Sequence, residues 1–172
     1  MLEPADVLAF FCLFGFVFAV AHDAPTEVVR AANRRKTLPP WVFEVVWAAL
    51  YVCMSLSAYF FWMTRFATTS YYLAFLAFAL TILLNRVWVR VYFYYNLYYV
   101  AFGVLALIFA TGAWYLGSML MNDHTNYVIV ASALMAPYLA WLLVAFGLLS
   151  YVGPQEVAPR PTWNLNYGGY KG

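Results

Sequence analysis

The stretch Trp41-Val42-Phe43-Glu44-Val45-Val46-Trp47-Ala48-Ala49-Leu50-Tyr51-Val52-Cys53-Met54-Ser55-Leu56-Ser57-Ala58-Tyr59-Phe60-Phe61-Trp62-Met63 decides the fold. Its 23 residues hold one formally charged side chain, Glu44, close to one end. A helix crosses a ~30 Å hydrocarbon core with ~20 apolar residues in a row, and this run supplies them. A membrane β-barrel would instead need short segments that alternate apolar and polar residues.

Working outward, four more apolar runs lie at about 5–22, 71–93, 97–121 and 127–152, beside the quoted run at 41–63. Across 172 residues the chain is 66% hydrophobic and 9% charged. A soluble domain carries about 25% charged residues, so these charges are too few to coat a water-facing surface. Helices satisfy their own backbone hydrogen bonds in lipid, and the expected fold is an all-α bundle of five transmembrane helices within residues 1–152. The first run lacks the basic flank and cleavage site of a signal peptide, having Glu3 and Asp6 instead, and reads as a helix. The tail 153–172 is rich in Pro, Asn and Gly and is expected to be poorly ordered. Cys12 and Cys53 fall inside apolar runs and read as small buried hydrophobes rather than a disulfide.

The connections carry the topology. Loop one, about 23–40, holds Arg30, Arg34, Arg35 and Lys36 and ends in Pro39-Pro40. The turn near Tyr94–Asn96 and the tail, with Arg160 and Lys171, share its side of the membrane, as do Arg86 and Arg90 near the end of span three. Arg65, Glu3, Asp6 and Asp123 mark the opposite side. The positive-inside rule then puts loop one and the C-terminus in the cytoplasm and the N-terminus outside. Nothing in the sequence names the host membrane, whether bacterial inner, mitochondrial outer or another.

Candidate site residues follow from helical spacing. Trp47, Tyr51, Met54, Ala58 and Trp62 share one face of span two, Asn85, Trp88 and Tyr92 one face of span three, and Pro137, Trp141 and Ala145 one face of span five. At 1.5 Å per residue, Trp47 and Trp88 lie ~9 and ~8 Å in from the loop-one side and Trp141 ~15 Å, deeper than an interfacial aromatic belt. Two readings compete: ordinary helix packing, or an aromatic-lined cavity for a flat apolar ligand. Asn85 needs either an interhelical partner or a ligand. Arg86 and Arg90, four apart on one face, either snorkel to the headgroups with one paired to Glu44, or receive an acidic ligand group. His22 and His124 stand alone at helix ends and read as solvated loop residues before haem ligands. No phosphate loop, metal-ligand spacing, catalytic triad or nucleic-acid motif is present, so no cofactor is required and no nucleic acid is expected as a partner.

The motifs together resemble the translocator protein family, also known as the peripheral-type benzodiazepine receptor family, whose bacterial members are the tryptophan-rich sensory proteins. Pro39-Pro40-Trp41-Val42-Phe43 with Trp47, Leu50-Tyr51, Met54, Tyr59 and Trp62 is similar to its second helix. Leu84-Asn85-x-x-Trp88 with Tyr92-Phe93 is similar to its third, and Pro137-Tyr138-Leu139-Ala140-Trp141 to its fifth. The resemblance covers about residues 5–151. It implies a pocket near loop one for porphyrins and synthetic aromatic ligands, with Trp47, Asn85, Trp88, Trp141, Ala145 and Leu148 lining or bordering it. Tyr51, on the same face as Trp47, joins that set by spacing.

Three differences from the family pattern stand out. Loop one lacks the Trp-Tyr…Lys-Pro-x-Trp segment that folds over the pocket mouth. The third-helix proline after Trp88 is replaced by Arg90, and the glycine after Phe93 by Tyr94. Tyr151 has no Lys or Arg in the next five residues, so the proposed sterol motif is missing. The leading expectation is a membrane binding protein for a hydrophobic aromatic ligand such as protoporphyrin IX or haem, acting as sensor, scavenger or carrier, with sterol ranked below porphyrin. The alternatives are a porphyrin-degrading enzyme using Trp47 or Trp141, and a ligand-free scaffold in contact with lipids, with Ala74 and Ala77 allowing a homodimer. The topology predicts that a C-terminal green fluorescent protein fusion fluoresces in bacteria and that an alkaline phosphatase fusion after Asp123 is active. The opposite pair of signals would invert it.

Overall fold

The structure, a computed structural model, describes residues 3–21, 40–65, 68–95, 97–121 and 125–152, and the side chains of all of these except 21, 40–44 and 152. Five helices account for almost all of them: α1 Pro4–Ala21, α2 Pro40–Trp62, α3 Thr69–Val89, α4 Tyr98–Leu120 and α5 Asn126–Val152. No strand occurs among the described residues. Helices α2 to α5 are long and apolar enough to cross a membrane, and α1 is a shorter apolar helix. Its 18 residues rise ~27 Å, close to the ~30 Å of a hydrocarbon core. The bundle has the form of a five-helix membrane protein, as the five apolar runs predict. The tail 153–172 lies outside the described residues.

Polar residues set the ends of the helices. In the first turn of α1 the Asp6 carboxylate accepts the Glu3 backbone N–H at 3.1 Å, a reach-back cap, and receives Arg65 Nη2 at 2.6 Å. Glu3 adds a longer ionic contact to the same guanidinium at 3.6 Å. Asp6 is 2% exposed, and these partners satisfy its buried carboxylate. Arg65 sits in the turn after α2 at φ 54°, a left-handed conformation that disfavours a β-carbon. The ion pair therefore ties α1 to the α2–α3 turn on the side away from loop one. Helix α3 begins two residues before the expected Tyr71 because the Thr68 side chain caps it, accepting the Tyr71 N–H at 3.3 Å. At its other end it passes into a π-helical turn, Arg90–Tyr94. The Arg90 N–H is shared between the Arg86 and Val87 carbonyls, a bond that a proline at this position could not make.

The helices form a closed ring in the order α1–α2–α5–α4–α3, with α3 returning to α1. Phe10 meets Tyr59 edge-on at 5.3 Å and Phe18 meets Tyr51 at 6.4 Å, which zips α1 to α2. The Ser57 hydroxyl donates to the Ala131 carbonyl at 2.7 Å between α2 and α5, and the Thr81 and Thr111 hydroxyls bond at 2.8 Å between α3 and α4. Gly112 lets α4 approach α5: a β-carbon there would stand 3.0 Å from Leu139 Cδ2. The half of the ring away from loop one is filled by Met54, Phe61, Phe78, Tyr115 and Met135, all at 2% exposure or less.

Two expectations are corrected. Ala74 and Ala77 turn into the bundle, at 0% and 7% exposure, so they offer a second copy no small-residue face. The outer face of α3 is made of Leu73, Leu76, Leu80, Leu83 and Val87 instead. Cys12 is exposed on α1 and Cys53 half-buried, both as free thiols, so Cys12 is not the buried hydrophobe expected. If the Asp6–Arg65 pair anchors α1, Asp6→Ala should lower unfolding stability in detergent by roughly 1–2 kcal/mol, combining a lost cap and a half-exposed ion pair. Thermal unfolding checks this, and an unchanged midpoint would remove the anchor from the account.

Candidate functional site

Helix α2 runs inward from the loop-one end, while α3 and α5 run toward it. Three facing side chains meet where these helices come level. Trp47 of α2, Asn85 of α3 and Tyr138 of α5 are 9%, 4% and 0% exposed. Asn85 Nδ2 donates to the Thr81 carbonyl one turn below it, at 2.9 Å, and to the Tyr138 hydroxyl at 2.6 Å. Helix α4 stands between α3 and α5 in the ring, so the second bond spans the interior rather than a seam between neighbours. Tyr138 meets Trp47 edge-on at 6.4 Å, and Trp47 rests on Tyr51 at 5.4 Å. Together they form a floor across the bundle.

Above that floor, toward loop one, the walls are aromatic. Trp88 sits one turn beyond Asn85 on the same face, 6% exposed, stacked on Tyr92 at 5.3 Å with planes 9° apart. Phe93 closes on Trp88 edge-on at 5.8 Å. Trp141 sits one turn beyond Tyr138, and Trp141, Ala145 and Leu148 are half-buried along the flank of α5. Tyr51 is also half-buried.

The polar atoms of this region are incompletely bonded. Asn85 Oδ1, Trp88 Nε1 and Trp141 Nε1 are buried and have no hydrogen-bond partner. A buried polar group left unpaired costs about 1–3 kcal/mol, and native structures tolerate few of them. Here three lie within one helical turn of the Asn85–Tyr138 bond. Trp62 Nε1, the Tyr115 hydroxyl and Ser132 Oγ share this condition in the opposite half. They are scattered there among tightly packed side chains.

Arg86 is half-buried and Arg90 exposed, at the loop-one end of α3, and both residues take part in interactions within the protein. The side chain of Glu44, the expected partner of one of them, lies outside the described residues, as do His22, His124 and loop one up to Pro39. Of the predicted residues, Trp47 meets Tyr51 and is linked to Asn85 through Tyr138, while Trp88 lies one turn beyond Asn85 on α3. Trp141, Ala145 and Leu148 border them.

The shared Pro137–Trp141–Ala145 face is corrected, and one site residue was missed. Pro137 is exposed on the outer side of α5, because the buried face of that helix runs through Val128, Ala131, Met135, Tyr138 and Leu142. Tyr138 is the residue that the spacing argument passed over, since an aromatic in an apolar span looks like packing. Its phenol, three residues before Trp141 and with few polar groups nearby in the span, was the available signal. The described side chains at this level can stack, bury apolar surface and exchange neutral hydrogen bonds. Among them there is no carboxylate or imidazole placed for proton transfer.

The family model described as the TspO/MBR family matches residues 7–152, most of the chain and all of the helices that build the site. No curated protein gives a significant match.

Proposed function

The chain belongs to the TspO/MBR family, and from this premise we propose that it is an integral membrane binding protein for a flat, hydrophobic ligand of the porphyrin or tetrapyrrole class. Family membership supports a membrane ligand-binding or sensor protein in general terms. The narrower reading rests chiefly on one observation: the unpaired Asn85 Oδ1, Trp88 Nε1 and Trp141 Nε1 near the Asn85–Tyr138 floor. Stacking on the indoles would bind the ring system, and the unsatisfied polar atoms would set its orientation. Sterol ranks lower, because a steroid skeleton gains less from stacked indoles and the end of α5 carries no basic residue next to Tyr151.

Arg86 and Arg90 fit the same reading at the mouth. A propionate reaching from a porphyrin held above the floor would meet guanidinium groups there. The N-terminus-outside topology then opens the site toward the cytoplasm.

Protoporphyrin titrated into detergent-purified protein is expected to quench tryptophan fluorescence saturably. The Trp47→Phe/Trp141→Phe double variant should bind about tenfold or more weakly, the scale of two lost aromatic contacts. Quenching no different from that in empty micelles would overturn the reading. Replacing both Arg86 and Arg90 by Gln should weaken protoporphyrin but not its dimethyl ester. Equal effects on the two would remove the arginines from the site.

A further inference from the structure

We infer that Tyr138 is a positioning residue whose hydroxyl fixes the Asn85 amide, so that the site presents a hydrogen-bond acceptor and favours ligands carrying an N–H or O–H donor. This rests on the aromatic-ligand reading of the site and narrows the chemistry that it takes.

The polarity follows from the partners. A primary amide offers two N–H donors and one carbonyl acceptor. The Thr81 backbone carbonyl, 2.9 Å from the Asn85 terminal group, can only accept, so the amide nitrogen must lie on that side. The second N–H goes to the Tyr138 hydroxyl at 2.6 Å. Both donors are therefore used inside the protein. Turning the amide by 180° would set Oδ1 against the Thr81 carbonyl and lose that bond. What remains is Oδ1, buried and without a partner, beside the turn that carries Trp88.

Tyr138 is built to hold this arrangement. It is 0% exposed and comes from α5, across the ring from the helix that it acts on. Its ring lies edge-on to Trp47, so one side chain sets both the amide and the indole. Phenylalanine would keep the ring and its contact with Trp47 but would release one N–H of Asn85. The amide would then be held by the Thr81 carbonyl alone, and its acceptor would be less firmly placed.

A double-mutant cycle on protoporphyrin affinity tests this, using wild type, Tyr138→Phe, Asn85→Leu and the pair. Tyr138→Phe should weaken binding about tenfold, the scale of one buried hydrogen bond. In the Asn85→Leu background the same change should cost less than about twofold, because the residue through which it acts is gone. An unchanged affinity in Tyr138→Phe, or two effects that multiply in full, would overturn the inference. Side-chain amide NMR of Asn85 without ligand gives a readout that does not depend on binding. Two distinct, slowly exchanging protons are expected in wild type, with one losing its protection in Tyr138→Phe. Identical amide spectra would refute the positioning role. Absence of saturable protoporphyrin binding in wild type would instead overturn the binding reading and the ligand preference built on it, while the amide spectra still decide what Tyr138 does.

Discussion

The hydrogen bond from Asn85 to Tyr138 divides this bundle into two unlike halves. In the hydrocarbon interior an amide or a phenol has no water to turn to, so each must find a partner on another helix. Here the two find each other across the ring rather than along a seam, at 2.6 Å, with Trp47 against the phenol ring. On the side away from loop one the space is closed by Met54, Phe61, Phe78, Tyr115 and Met135. The other side is lined by indoles whose N–H groups are unpaired at Trp88 and Trp141. The proposed ligand would enter from the loop-one end, above this floor.

The ring order lets that bond form. Because α2 packs on α5, and α4 separates α5 from α3, the inward faces of α2, α3 and α5 converge on the axis. The surrounding ties hold the geometry at other depths: Ser57 to Ala131, Thr81 to Thr111, and Tyr98 to the Leu149 carbonyl at 3.0 Å. Polar interhelical bonds of this kind contribute about 0.6–2 kcal/mol each in membranes, so several are needed to fix a bundle against lipid. The Asp6–Arg65 pair adds an ionic tie at the opposite end, where α1 would otherwise depend on its phenylalanine ladder.

Much of the fold was legible because lipid imposes a simple code. Long apolar runs with few charges had to span, and the 3.6-residue period placed Trp47, Asn85 and Trp88 on inward faces, where they are found. The features that escaped depend on single partners rather than on periodicity. No pattern in α1 announces that Asp6 will find Arg65 across the α2–α3 turn. In the π-helical turn Arg90–Tyr94 the Tyr95 N–H donates to the Arg90 carbonyl at 3.0 Å, a five-residue bond that hydropathy does not register. Pro137 is exposed and Tyr138 faces the axis because a one-residue step turns a helix by ~100°, enough to move a side chain from one side to the other. Ala74 and Ala77 were misassigned for a related reason. Small residues suit close approach on either side of a helix, and only the neighbouring helices decide which side.

Methyl NMR with protoporphyrin reports whether a ligand sits on the loop-one side of the Asn85–Tyr138 floor. Ring currents from a bound porphyrin fall off within a few ångströms, so shifted methyl groups map its position. The account predicts large shifts at Ala145 and Leu148, on the loop-one side, and unchanged signals from Met54, Met135 and Met119 beyond the floor. Shifts at those methionines as large as at Ala145 would show the ligand passing the floor, and the account would be wrong.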